Sequence, residues 1–305
     1  MPEVIFPAGG FKNAGTLIRA MVATLRSYWS QAEGYQKFLY FTGGLLLVSA
    51  VFHTGVLIVT GGSLAGDVSW RKPILFGEAF GLNALSLAWV MTFLPKRRVR
   101  GWLLLGTAGL TFLGETFLID MQQWRGVPSH FNSSTSFDAA VFSTMGVLIG
   151  FAGVVITMVT LWTFLSLQAP RSLTWAIRAG MLLLVVAQFF GNLIIANGGN
   201  TFGAAGAMKV PHALTIHAAQ VLPLLGWLLL FTNWSESRRA QTVILGATAF
   251  TVLVAVYTFQ TFTGRAPSDL SWPAALVLGI SGAIFAAAYL VTLLALLRPT
   301  PQSAA

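Results

Sequence analysis

The chain has no cysteine. That absence removes disulfides, thiolate-bound metals, iron–sulfur clusters and cysteine nucleophiles together. Any bound metal must rest on His, Asp and Glu. Charge is scarce as well: charged residues make up 9% of the 305 positions, against 55% hydrophobic. A soluble protein of this length needs far more charge to cover its surface. No stretch between the apolar blocks is long enough to build a soluble core. A phosphate-cradling loop is also missing, because Gly61-Gly62 and Gly198-Gly199 lack the lysine and the strand context of one.

What the chain does contain is a series of long apolar blocks. Crossing the hydrocarbon takes about 20 apolar residues, and only helices or closed barrels satisfy their backbone there. The runs are continuous in Leu, Val, Ala and Phe and do not alternate, which favours helices over a barrel. The expected fold is therefore all-α, an integral membrane bundle of about eight transmembrane helices. The spans fall at 37–61, 74–95, 101–122, 139–166, 174–196, 211–233, 240–263 and 272–297. Residues 36–298 form the transmembrane domain and 299–305 a short tail. Residues 1–35 precede the first span. There Leu17, Ile18, Met21, Val22, Leu25, Tyr28 and Trp29 recur at helical spacing opposite Arg19, Thr24 and Arg26. This predicts an amphipathic helix lying on the inner membrane surface.

The formal charge of +9 follows topology and does not point to nucleic acid. One set of loops and span ends holds Lys12, Arg19, Arg26, Lys37, Lys96, Arg97, Arg98, Arg100, Arg171, Arg178, Arg238, Arg239 and Arg298. The other holds Arg71, Lys72, Arg125, Lys209 and Arg265. The positive-inside rule puts the first set, and both termini, in the cytoplasm. Short similarities, "SWRKP" with "SWP" and "GVPSH" with "KVPH", hint at an internal repeat.

Ionisable groups inside spans are costly, so their positions carry information. His53, Glu78, Glu115 and His217 fall roughly 7–10 Å below the outer ends of their spans at 1.5 Å per residue. His212 and Asp120 sit near the rim, and His130 and Asp138 in the loop 122–138. All four histidines thus belong to the outer half, while the inner halves carry almost nothing ionisable.

Imidazole and carboxylate are the usual ligands of transition metals, so His53, Glu78, Glu115, His130, His212 and His217 are the candidate metal ligands. Haem b is the other candidate cofactor: His53 and His217 would be its axial ligands and Arg125 would face a propionate. The resulting expectation is a redox site near the outer face, acting on electrons or on a lipid-soluble molecule. Whether the chain is an enzyme stays open. Two readings compete with it. One is a proton- or cation-coupled transporter or channel built on the same Glu and His groups. The other is a non-catalytic subunit of a larger membrane complex. The bilayer is the one certain partner. Gln188, Asn192 and Gln220 read as polar glue between helices, and Trp70, Trp124 and Trp272 as an interfacial belt. Ser129, His130 and Asp138 supply a hydrolase's residue types, but adjacent Ser and His do not define a triad.

The segments "SWRKPILFG", "RGVPSHFNSSTSFDAAVFSTMG" and "VPHALTIHAAQVLPLLGW" resemble those of an uncharacterised family of bacterial polytopic inner-membrane proteins. The resemblance spans most of the first six helices. It implies a bacterial inner-membrane location and no particular activity.

Overall fold

The computed structural model describes Phe11 and residues 13–298. Lys12, the first ten residues and the expected tail 299–305 lie outside the described residues. The fold is all-α, with eight helices long and apolar enough to cross a membrane. The protein is a multi-span membrane protein. The spans run Gly34–Thr60, Arg71–Phe93, Arg98–Trp124, Ser136–Ser166, Arg171–Ala196, Lys209–Leu229, Glu236–Phe262 and Trp272–Leu297. They are labelled in chain order after α1 (Ala14–Ser30). The first is α2, and α3 (Arg71–Val90) ends in a 3₁₀ turn. The third joins α4 (Arg98–Gly101), a π-helical turn (Trp102–Gly106) and α5 (Thr107–Trp124). The remaining five are α6 to α10. The one sheet among the described residues is a two-stranded hairpin, β1 (Thr201–Phe202) with β2 (Gly206–Ala207), between α7 and α8.

Local chemistry explains the boundaries. Asn13 caps α1 by accepting from the Thr16 amide at 3.0 Å. Ser235 and Ser271 cap α9 and α10 in the same way, and Pro273 falls in the first turn of α10, where no amide partner is required. The α1 helix is amphipathic. Leu17, Thr24 and Tyr28 are buried, so Thr24, expected on the polar face, packs inward, and Tyr28 Oη accepts from the Trp227 indole at 3.2 Å. Ile18, Leu25 and Trp29 remain exposed, a face suited to lipid.

The described residues divide into two compact units: Ala32–Leu165, and those up to Gln31 together with those from Ser166 to Arg298. Each contains four spans, and the two sets match one for one. The starts pair as Gly34 with Arg171, Arg71 with Lys209, Arg98 with Glu236 and Ser136 with Trp272, a constant offset of 136–138 residues. The turns match too. Gly61 and Gly198 have φ of 61° and 67°, and Gly126 and Gly264 have 70° and 72°, left-handed values that favour glycine. After α5, the Val127 amide donates to the Gln122 carbonyl at 3.1 Å. After α9, the Arg265 amide donates to the Gln260 carbonyl at 3.2 Å. The protein is thus built as an internal structural repeat. The sequence similarities noted above are out of register with it. "RKP" at Arg71–Pro73 corresponds to "KVP" at Lys209–Pro211, and "GVPS" from Gly126 to "GRAPS" from Gly264. "SWP" opens the fourth helix of its unit, whereas "SWRKP" opens the second.

Within each unit the first two helices cross through small residues. A side chain on Gly43 would meet the Gly81 carbonyl at 2.9 Å, and one on Gly77 the Leu46 carbonyl at 2.9 Å. In the second unit, a side chain on Gly180 would meet the Ala218 carbonyl at 2.8 Å. Such close approach lets lipid-embedded helices gain dispersion contacts where no hydrophobic drive exists. Pro223 interrupts α8, and Tyr289 Oη donates to the Val221 carbonyl two residues before it.

Candidate functional site

The polar groups of the first unit gather at one end, where the loops 61–70 and 125–135 lie; this is called the upper end below. Helix α5 is the spine. It carries Glu115, Thr116, Asp120, Gln122 and Trp124 on its upper half and ends at Arg125. Three polar groups grow from it.

The first ties down the loop. Asp138, in the first turn of α6, is buried and accepts from Gln122 Nε2 at 2.9 Å, Arg125 at 2.6 Å and Thr135 Oγ1 at 2.7 Å. Gln122 Oε1 accepts a further bond from Arg125, whose guanidinium also lies over the Phe137 ring at 4.7 Å. The anion facing Arg125 is therefore Asp138, and the guanidinium serves to close the loop. Phe131, at φ 56° the one non-glycine residue in the left-handed region among those described, is held by the turn. Asn132 donates to the Pro128 carbonyl at 3.0 Å beside it.

The second group surrounds His53 on α2. The Trp124 indole donates to His53 Nε2 at 3.1 Å. Because an indole N–H can only donate, Nε2 is the acceptor and the ring proton sits on Nδ1. That proton is donated to the Ser49 carbonyl at 2.9 Å. Ser49 Oγ in turn donates to Asp120 Oδ2 at 3.1 Å. Trp70 stacks on the imidazole with centroids 5.9 Å apart, and meets Trp124 edge-on at 5.0 Å. Both nitrogens of His53 are thus engaged, and ligation of a metal or haem iron through Nε2 requires the Trp124 bond to break.

The third group joins Glu115 to His130. Glu115 is buried, and His130 Nε2 lies 4.0 Å from its Oε1. The other carboxyl oxygen, Oε2, is buried with no hydrogen-bond partner. His130 is oriented by Ser129 Oγ, 2.9 Å from Nδ1, and by the Phe76 ring at 5.4 Å. This is a buried acid facing an imidazole, an arrangement that can hold one proton on either partner.

Of the expected metal ligands, the structure brings Glu115 and His130 together. Glu78 is half-buried on α3 and His53 belongs to the aromatic group. His212 and His217 lie in the second unit, on α8. His212 is in the first turn, where its Nδ1 donates to the Ala187 carbonyl at 2.8 Å; His217 is half-buried. Among the described residues no group of three or more His, Asp and Glu side chains is arranged to hold a metal ion.

Sequence reasoning missed Ser49, Thr116 and the role of Trp124. The repeat supplies the missing signal. With Gly61 set on Gly198 and Gly126 on Gly264, His53 corresponds to Phe190, Ser49 to Val186, Glu115 to Leu253, Asp120 to Thr258 and Trp124 to Phe262. The Phe190 and Phe262 rings stack with centroids 6.4 Å apart, where His53 and Trp124 are 6.2 Å apart. Packing alone needs only two aromatic rings there, so the polar versions in the first unit call for another explanation. By contrast, Gln122 and Gln260 are both buried and both bind groups of the segment that follows their helix, which marks them as structural. No protein-family model, curated protein or solved structure matches the chain.

Proposed function

We propose that the protein is an ion-coupled membrane transporter whose proton-exchange site is the Glu115–His130 pair, at the extracytoplasmic end of a bacterial inner-membrane bundle. The observation that carries this reading is the buried Glu115 carboxyl, with Oε2 unpartnered and Oε1 facing His130 Nε2 at 4.0 Å. Burying an ionisable group in a span is expensive, and such groups typically mark proton or ion pathways. His130 sits on the loop side and Glu115 on the helix side, so a proton passed from one to the other moves toward the bundle interior. The π-helical turn at Trp102–Gly106, lower in the same span, supports the reading, because such turns recur at functional sites. The charge bias of the loops supports the orientation. A redox role for His53 is less well supported, since both ring nitrogens are already engaged.

The test is proton movement in proteoliposomes containing a trapped pH dye, driven by an imposed potential. The wild type is expected to move protons, and Glu115→Gln and His130→Asn to slow this at least tenfold. Undiminished flux in Glu115→Gln would overturn the assignment. A Soret band in the purified protein would replace it with the haem reading.

A further inference from the structure

Unpartnered buried oxygens are distributed unevenly in this molecule. In the first unit they are Thr42 Oγ1, Ser69 Oγ, Glu115 Oε2, Thr116 Oγ1 and Asp120 Oδ1. In the second unit, Ser172 Oγ is the single oxygen among the described groups of this kind. Two of these oxygens share a face of α5: Thr116 and Asp120 are one turn apart, at the i, i+4 spacing that makes helix residues neighbours. Thr116 is buried at 2% exposure, and its hydroxyl does not take the i−4 carbonyl that Thr258 uses at 2.7 Å. Ser49 Oγ lies against the other Asp120 oxygen at 3.1 Å.

We infer that Asp120, Thr116 and Ser49 form a binding site for a small hard monovalent cation, of which Na⁺ is the natural occupant. The charge argument comes first. Among the described residues no Lys or Arg forms an ion pair with Asp120. The nearby imidazole of His53 carries its proton on Nδ1, directed at the Ser49 carbonyl, and its Nε2 lone pair is used by Trp124. Asp120 is half-buried near the upper end of its span, its buried Oδ1 has no donor, and a bound cation supplies the missing countercharge. The donors decide the class of ion. All three are oxygens, which selects hard cations over transition metals. A divalent ion usually draws on further carboxylates, and the next acid along α5, Glu115, is five residues away, about 140° around the helix and ~7.5 Å along it. One negative charge matches one positive charge. The repeat acts as a control: Ser49, Thr116 and Asp120 correspond to Val186, Val254 and Thr258, which carry neither the charge nor the free hydroxyls.

The site stands on different residues from the Glu115–His130 pair and does not depend on it. The test is thermal unfolding of the full-length protein in detergent, in NaCl, KCl or choline chloride at equal ionic strength. Na⁺ is expected to raise the midpoint saturably relative to choline. Asp120→Asn is expected to abolish the response, and Thr116→Val to raise the half-saturating Na⁺ concentration at least tenfold while leaving the midpoint in choline unchanged. Glu115→Gln is expected to keep the full response, which separates failure of this inference from failure of the proton-exchange assignment. Equal midpoints in NaCl and choline chloride would overturn the site, as would an unchanged response in Asp120→Asn. If Asp120→Asn does not fold, Thr116→Val decides, and an unshifted half-saturation there overturns the site.

Discussion

The two four-span units solve the same folding problem with different chemistry at their upper ends. Both cross their first two helices through glycine and alanine, both close the third helix with a left-handed glycine, and both anchor the following loop through a buried glutamine. They part where the first unit places His53, Trp124, Glu115 and Asp120 and the second places Phe190, Phe262, Leu253 and Thr258. The comparison separates what the fold needs from what is added to it. Positions alike in both units serve backbone geometry and packing, and positions that differ in polarity mark the site.

Substitutions can break this comparison at graded cost. The largest effects belong to the shared crossings. Gly43→Leu in one unit and Gly180→Leu in the other drive a side chain into a backbone carbonyl, and each should destabilise by about 3 kcal/mol or more, measured as denaturant or thermal unfolding in detergent. A large cost in one and none in the other would dissolve the equivalence. Next come the shared glutamines. Gln122→Leu removes one donor to Asp138 and Gln260→Leu one donor to the Ala266 carbonyl, at about 1–2 kcal/mol apiece. The sharpest test of specialisation is the pair His53→Phe with Trp124→Phe, which rewrites the first unit's site as the second unit's packing. Each single change strands a polar partner. The double change should cost less than the sum of the singles, because it removes both partners of one hydrogen bond.

The smallest effect concerns the second unit's loop, where Arg265 binds Asp269 at 2.9 Å and 3.0 Å. The Arg265 hydrogen bonds hold the exposed Asp269 carboxyl below its usual range. A carboxyl whose folded value is depressed stabilises the protein above its unfolded value. That contribution is lost as pH falls through the folded one. Acidification below pH ~4 should therefore lower the midpoint by about 1 °C or less, with the shift absent in Asp269→Asn and in high salt.

Much of this was legible in the sequence. The eight spans appear within a few residues of their observed ends, because apolar length is a direct consequence of bilayer thickness. The amphipathic character of α1 was legible from the helical spacing of its apolar residues. The pairing of Glu115 with His130 was not, since it depends on how a loop folds back over a helix. Ser49 and Thr116 were invisible because hydroxyls are common in membrane helices and usually bond their own backbone, as Thr258 does. Trp124 reads as an interfacial anchor and is exposed as such a residue would be, but its indole hydrogen also fixes the His53 tautomer, which spacing does not reveal. The repeat itself hid behind misleading short similarities. Its true register survives mainly at residues the backbone requires, such as Gly61 and Gly198, or Gly126 and Gly264.

Four is an even number of crossings, and this has a consequence for how the chain is made. A segment that crosses an even number of times returns to the side where it began, so the two ends of each four-span unit lie on one side of the bilayer. The stretch Leu167–Pro170, between α6 and α7, is then a natural seam. Two separate transcripts cut there would yield polypeptides that each insert with the topology they have in the fused chain, and co-expressed halves offer a direct way to ask what the fusion contributes.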